Sequence, residues 1–175
     1  MKIACIGWGS LVWDPGVLRC AGAWRSDGPE LPIEFARTSK NGRLTLVITP
    51  SAQTVPTLWT EVDYALPEDA QSALAAREGS PIHAIGLWPG PAPRYAVGAD
   101  QIVSWAVAQN IGAVVWTALR PKFGGEDGRA PESAAAAIAY LRGLDSETLP
   151  KALAYIKSAP SQVQTGFRAA LEAAF

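Results

Sequence analysis

At 175 residues, with 49% hydrophobic and 18% charged side chains, the chain has the balance of one globular domain rather than of a disordered segment. Fifteen Lys and Arg against sixteen Asp and Glu give a formal net charge of −1, and no basic run is longer than a pair. That argues against a nucleic-acid partner, which needs clustered cations to neutralise phosphates. No stretch approaches the roughly 18 apolar residues of a membrane span, and the apolar run at Met1–Gly7 is too short for a secretion signal. Cys5 and Cys20 do not make a disulfide framework, so Cys5 is expected as a buried reduced thiol. Together these features predict a cytoplasmic protein with no membrane partner; the oligomeric state is not encoded in them.

In chain order, Lys2 to Ile6 reads as a strand entering the glycine turn Gly7-Trp8-Gly9-Ser10, and Asp14-Pro15-Gly16 is a second turn. Residues 31–37 alternate apolar and polar like a strand. Asn41-Gly42 then separates them from the strand-like Leu44 to Ile48, a hairpin signal. Pro56 to Val62 reads as a further strand. Pro67-Glu68-Asp69 opens a helix that runs through Ala70, Ala73, Leu74 and Ala76 and stops at Gly79. Ile82 to Trp88 is expected as a strand, Asp100 to Asn110 as a helix and Ala113 to Ala118 as a buried strand. From Pro121 to Pro131 the chain is Gly-rich and charged and reads as loop; for Lys122 to Gly128 a mobile lid is the alternative. Residues 132–143, 146–158 and 161–175 read as three helices, with Pro160 separating the last two. Strands early and helices late predict an α+β fold.

Two features carry chemical promise. A glycine turn after a strand can point backbone N–H groups into a concavity that binds anions, carboxylates included. It can equally be a tight turn whose glycines only permit close packing. The commoner motifs are absent. Val12 stands where a dinucleotide fingerprint needs its third glycine, no Gly-Lys-Ser/Thr closes a phosphate loop, and Trp8 and Val12 flank Ser10 where a nucleophile elbow needs glycines. Glu78 lies on the last turn of the expected helix, where partial negative charge disfavours a carboxylate and should push its pKa upward, as suits a general base. Its alternative is a solvated glutamate or one paired with Arg77 or another cation. His83, the only histidine, could complete a nucleophile pair with Ser10 or Cys5, although a lone histidine in a strand-like run is more often structural. No metal-ligand spacing occurs, so no metal is expected. The seven tryptophans follow no ligand-box spacing and read mostly as core, Trp8 excepted.

The run Ile6-Gly7-Trp8-Gly9-Ser10-Leu11-Val12-Trp13-Asp14-Pro15-Gly16 resembles the opening strand and loop of γ-glutamylcyclotransferases, especially their ChaC-like branch. Leu74-Ala75-Ala76-Arg77-Glu78-Gly79 is similar to the helix end that bears that family's catalytic glutamate. The resemblance covers roughly residues 2–90, and Trp8 stands where the family has a tyrosine. It implies a small mixed β-barrel with flanking helices over 1–120, with the loop and C-terminal helices of 121–175 packed on the same domain. It implies Glu78 as the catalytic base, Trp8, Gly9, Ser10 and Leu11 as substrate-binding residues, and no cofactor. The reaction implied is cyclisation of a small γ-glutamyl substrate to 5-oxoproline with release of an amine or peptide. A non-catalytic small-molecule-binding protein on the same fold is the rival expectation.

Overall fold

A computed structural model describes all 175 residues. The fold is mixed α+β, with two mixed sheets and five α-helices. No helix is long and apolar enough to cross a membrane. The chain divides into two compact units, one made of residues 1–31 and 56–119, the other of residues 32–55 and 120–175.

The first unit is built on a four-stranded sheet. The apolar run after Lys2 becomes β1 (Ile3–Gly7), buried along its whole length. It pairs antiparallel with β5 (Leu58–Glu61) and parallel with β7 (Ala113–Thr117), and β6 (Ile85–Trp88) closes the order β5-β1-β7-β6. Because strand side chains alternate between faces, Ile3, Cys5, Ala113, Val115, Ile85 and Leu87 share one face. Against it packs helix α1 (Pro67–Glu78) through Ala70, Leu74 and Ala75. Helix α2 (Ala99–Ala108) packs on β7 with Ile102 and Ala106 buried. Ile82–Ala84, expected inside a strand, is instead a single 3-10 turn held by Ala84 N–H to the Pro81 carbonyl, and the strand begins only at Ile85.

The second unit carries the other sheet. β2 (Glu30–Thr38) and β3 (Leu44–Ile48) form the hairpin expected around Asn41-Gly42, with Thr38 opposite Leu44. β4 (Thr54–Pro56) also pairs with β2. Residues 121–131 are not plain loop: β8 (Lys122–Phe123) and β9 (Glu126–Asp127) form a miniature hairpin across Gly124-Gly125, and Lys122 lies parallel to Arg37 of β2. One hydrogen bond and two ion pairs hold it. Arg37 Nη1 donates to the Arg120 carbonyl at 2.8 Å, and Asp127 lies 3.9 Å and 3.8 Å from Arg37 and Arg120.

Helices α3 (Ala134–Arg142) and α4 (Thr148–Ser158) follow the sequence pattern. The last helix does not: α5 spans only Arg168–Ala173. Buried Glu34 explains the shortening. Its carboxylate accepts from Thr165 Oγ1 at 2.6 Å, Phe167 N at 3.0 Å and Phe35 N at 2.8 Å, so the Phe167 amide is committed to a side chain instead of a helical ladder. Burial pushes the Glu34 carboxyl above its ordinary range, against these hydrogen bonds, which pull it down.

The barrel implied by the family resemblance is not seen. Each sheet is open: β5 and β6 are the edges of the first, and β3 and β9 end the second.

Candidate functional site

The two sequence candidates come together in the first unit. β1 ends in the buried glycine Gly7, where any side chain would collide with Trp24; a Cβ there would sit 2.7 Å from its ring. The chain then makes one 3-10 turn at Ser10–Val12. Val12 N–H reaches the Gly9 carbonyl at 3.0 Å, and the Trp13 and Asp14 amides both donate to the Ser10 carbonyl. The turn's own bonds therefore leave the Ser10 and Leu11 amides outside their pattern, as the first amides of any helical turn must be. Leu11, 4% exposed, drops into the cluster that also holds Leu74 and Ala75 of α1, which fixes the turn against that helix. Trp8 and Gly9 are buried as well, so Ser10 is the one member of the 8–11 turn that is not.

Helix α1 ends as its sequence predicts. Gly79 adopts φ +56°, and its amide and that of Ser80 donate back to the Ala76 and Ala75 carbonyls at 3.2 and 3.0 Å. This left-handed cap needs a residue without a Cβ penalty. Glu78 is thus the last helical residue, and its carboxylate stands at the negative end of the helix dipole.

Arg77 joins the two. Its Nη1 donates to Glu78 Oε1 at 2.6 Å. Nη2 donates to Ser10 Oγ at 3.1 Å and to the Asp14 carbonyl at 2.6 Å, which Nε also reaches at 3.0 Å. The Arg77 and Glu78 side chains are only 10% and 16% exposed. One guanidinium therefore holds a hydroxyl, a carbonyl and a carboxylate from two separate chain segments. In the sequence Arg77 is only a neighbour able to neutralise Glu78, and that pairing is present. What the sequence does not show is the reach of Arg77 to Ser10 and Asp14, 67 and 63 residues earlier.

Cys5 of β1 is fully buried in the same apolar cluster as Leu11, Leu74 and Ala75. Burial above all, with Cys20 and Glu78 adding to it, pushes the Cys5 thiol well above its ordinary value; burial also raises Cys20. Both cysteines are free, and both are held as thiols rather than nucleophilic thiolates. His83 does not join them. It is exposed on the 3-10 turn before β6 and makes no hydrogen bond to Ser10 or Cys5, and the Ser10 hydroxyl is taken by Arg77. A Ser–His or Cys–His pair is therefore not assembled. No group of three or more His, Cys, Asp and Glu side chains is arranged to hold a metal ion.

No protein-family model, no curated protein and no solved structure matches this chain.

Proposed function

We propose that the chain is a γ-glutamylcyclotransferase-like enzyme, an open variant of that fold, with its site at the Ser10–Arg77–Glu78 cluster. The observation that carries this proposal is the convergence of the 8–11 turn and Glu78 through one guanidinium: Arg77 lies 3.1 Å from Ser10 Oγ and 2.6 Å from Glu78 Oε1. In this reaction Glu78 takes a proton from the α-ammonium of a γ-glutamyl substrate. The freed amine attacks the γ-carbonyl, and its new C–N bond closes a five-membered ring. The developing oxyanion faces the Ser10 and Leu11 amides. Collapse breaks the original amide bond as the protonated Glu78 returns its proton to the departing amine and the ring nitrogen sheds its second proton to solvent, giving 5-oxoproline and a free amine or peptide. Intramolecular attack supplies most of the rate through proximity, so a base and an oxyanion-tolerant turn suffice.

The Arg77–Glu78 ion pair also supports a second reading, a binding protein without turnover on the same framework. A carboxylate 16% exposed and already paired at 2.6 Å has one oxygen occupied by a cation before any substrate ammonium arrives. Burial of Trp8, where the family carries tyrosine, points the same way, because a buried indole offers no phenolic hydroxyl to a ligand.

The two are separated by Glu78→Gln. With a panel of γ-glutamyl amines and dipeptides, 5-oxoproline release followed by mass spectrometry should fall by at least a hundredfold, in line with the usual worth of a general base. Release unchanged by the substitution refutes Glu78 as the base. No release from any panel member, with ligand binding retained in both proteins, establishes the binding reading instead.

A further inference from the structure

A second site lies in the other unit. The five residues joining β2 to β3 curl back on themselves, with Gly42 N–H to the Ser39 carbonyl at 3.0 Å, and Tyr140 of α3 anchors them by donating its hydroxyl to the Gly42 carbonyl at 2.7 Å. The start of α4 faces this turn. Between them is a cleft of about 590 Å³ whose lining includes Lys40, Arg43, Thr148 and Lys151.

The charge balance of this cleft is unusual. Lys40, Arg43 and Lys151 take part in none of the chain's ion pairs. Arg43 Nε is buried without any hydrogen-bond partner, and its guanidinium rests 5.9 Å from the Tyr155 ring centroid. A buried cationic donor left unsatisfied is costly, and each such group in a native fold calls for a partner. The one acid in the lining, Asp145, is already committed. It accepts the Glu147 and Thr148 amides at 2.9 and 2.7 Å and the Thr148 hydroxyl at 2.8 Å, so its lone pairs cap α4 and do not reach the three cations.

We infer that this cleft binds a small phosphorylated molecule through its phosphate monoester, with Arg43 as the principal contact and Lys40 and Lys151 beside it. Three cations against one carboxylate leave a surplus of two positive charges, which matches a phosphate dianion better than a single carboxylate. A guanidinium offers paired N–H groups spaced for two phosphate oxygens. The volume lies within the usual range for small-molecule sites, from a sugar phosphate up to a nucleotide. A nucleic-acid backbone is the poorer ligand, since the cations sit in one cleft and the chain as a whole carries a net charge of −1.

The test is a titration of the ¹⁵N-labelled protein with inorganic phosphate at low ionic strength, followed by amide chemical shifts, with acetate and sodium chloride at matched ionic strength as controls. Saturable shifts should centre on residues 40–43 and 148–151. Acetate should bind at least tenfold more weakly, and Arg43→Met should weaken phosphate at least tenfold with the remaining amide shifts unchanged. Lys151→Gln, an exposed position safe for folding, should weaken it at least threefold, and it decides the matter where Arg43→Met fails to fold. Shifts reproduced by chloride alone, or phosphate affinity unmoved in the variant tested, overturn the assignment.

Discussion

Replacing Arg77 by methionine keeps the aliphatic stem and removes every donor of the guanidinium. Four hydrogen bonds are lost: one to Glu78 Oε1, one to Ser10 Oγ and two to the Asp14 carbonyl. Asp14 is exposed and Ser10 half-buried, so water can replace the guanidinium at both. Glu78 fares worse, since its carboxylate is 16% exposed, at a helix C-terminus, and would have no cation beside it. Losing a hydrogen bond to a charged, largely desolvated partner costs about 1.5–3 kcal/mol, so the whole substitution should cost about 2–3 kcal/mol. For a chain of this size that is about 5–10 °C in Tm. Urea unfolding followed by circular dichroism measures it directly, and a cycle with Glu78→Gln isolates the ion pair. If Arg77 neutralises Glu78, the double variant should be less destabilised than the sum of the singles by about 1 kcal/mol or more. A cost below about 0.5 kcal/mol for Arg77→Met, together with an additive cycle, would refute the idea that this guanidinium joins the turn to the helix end.

Two other consequences concern stability. Glu34 has a carboxyl raised by burial, so the folded state holds its proton to higher pH than the unfolded chain does. Its contribution is fully present below the unfolded value near pH 4.3 and is lost as pH rises through the raised folded value, with a slope of at most about 1.4 kcal/mol per pH unit. Glu34→Gln should abolish that slope, so the stability of the parent relative to the variant should decline from pH 4 upward; a difference constant between pH 4 and 7 contradicts it. Gly79→Ala meets no neighbouring atom within 4 Å but forces alanine into φ +56°, so it should cost about 1–2 kcal/mol in urea unfolding, and Gly79→Asn clearly less.

How much the sequence disclosed depends on whether a signal was local. The end of α1 was legible because a helix stop is written in adjacent residues: Arg77, Glu78 and then a glycine, which enters the left-handed cap without a Cβ penalty. The β2–β3 hairpin was legible for the same reason. Residue 34 was not. Alternation in 31–37 places Glu34 on a solvent face, yet β2 is buried on both faces from Leu31 to Ala36, because β2 also contacts partners from the distant C-terminal segment. The same long-range contact cut the expected helix 161–175 down to Arg168–Ala173, since an apolar helical pattern cannot announce that a carboxylate 133 residues away will take the Phe167 amide. The 122–127 hairpin was missed because each of its strands is two residues long, too short for any alternation to register.

The site itself shows the same division. Glu78 and the 8–11 turn were each visible as local patterns, but their juxtaposition depends on Leu11 entering the buried cluster that also holds Leu74 and Ala75, which no local pattern reveals. The Arg77–Glu78 contact is also not a helical default. Successive side chains on a helix point about 100° apart and do not face one another. Here Arg77 is drawn sideways by the Ser10 hydroxyl and the Asp14 carbonyl, and Glu78 sits where the helix has run out, so the two can meet at 2.6 Å. The turn thereby sets the position of the carboxylate through the guanidinium. It follows that an α-ammonium arriving at Glu78 competes with a cation already in place. Catalysis would require the substrate to share the carboxylate with Arg77 or displace it, whereas simple binding would not. Arg77→Lys separates these demands: it keeps one positive charge but cannot hold Ser10, Asp14 and Glu78 together, so the positioning is lost while the competition remains. For an enzyme, turnover should fall with little change in KM; for a binding protein, ligand affinity should move by no more than a few-fold.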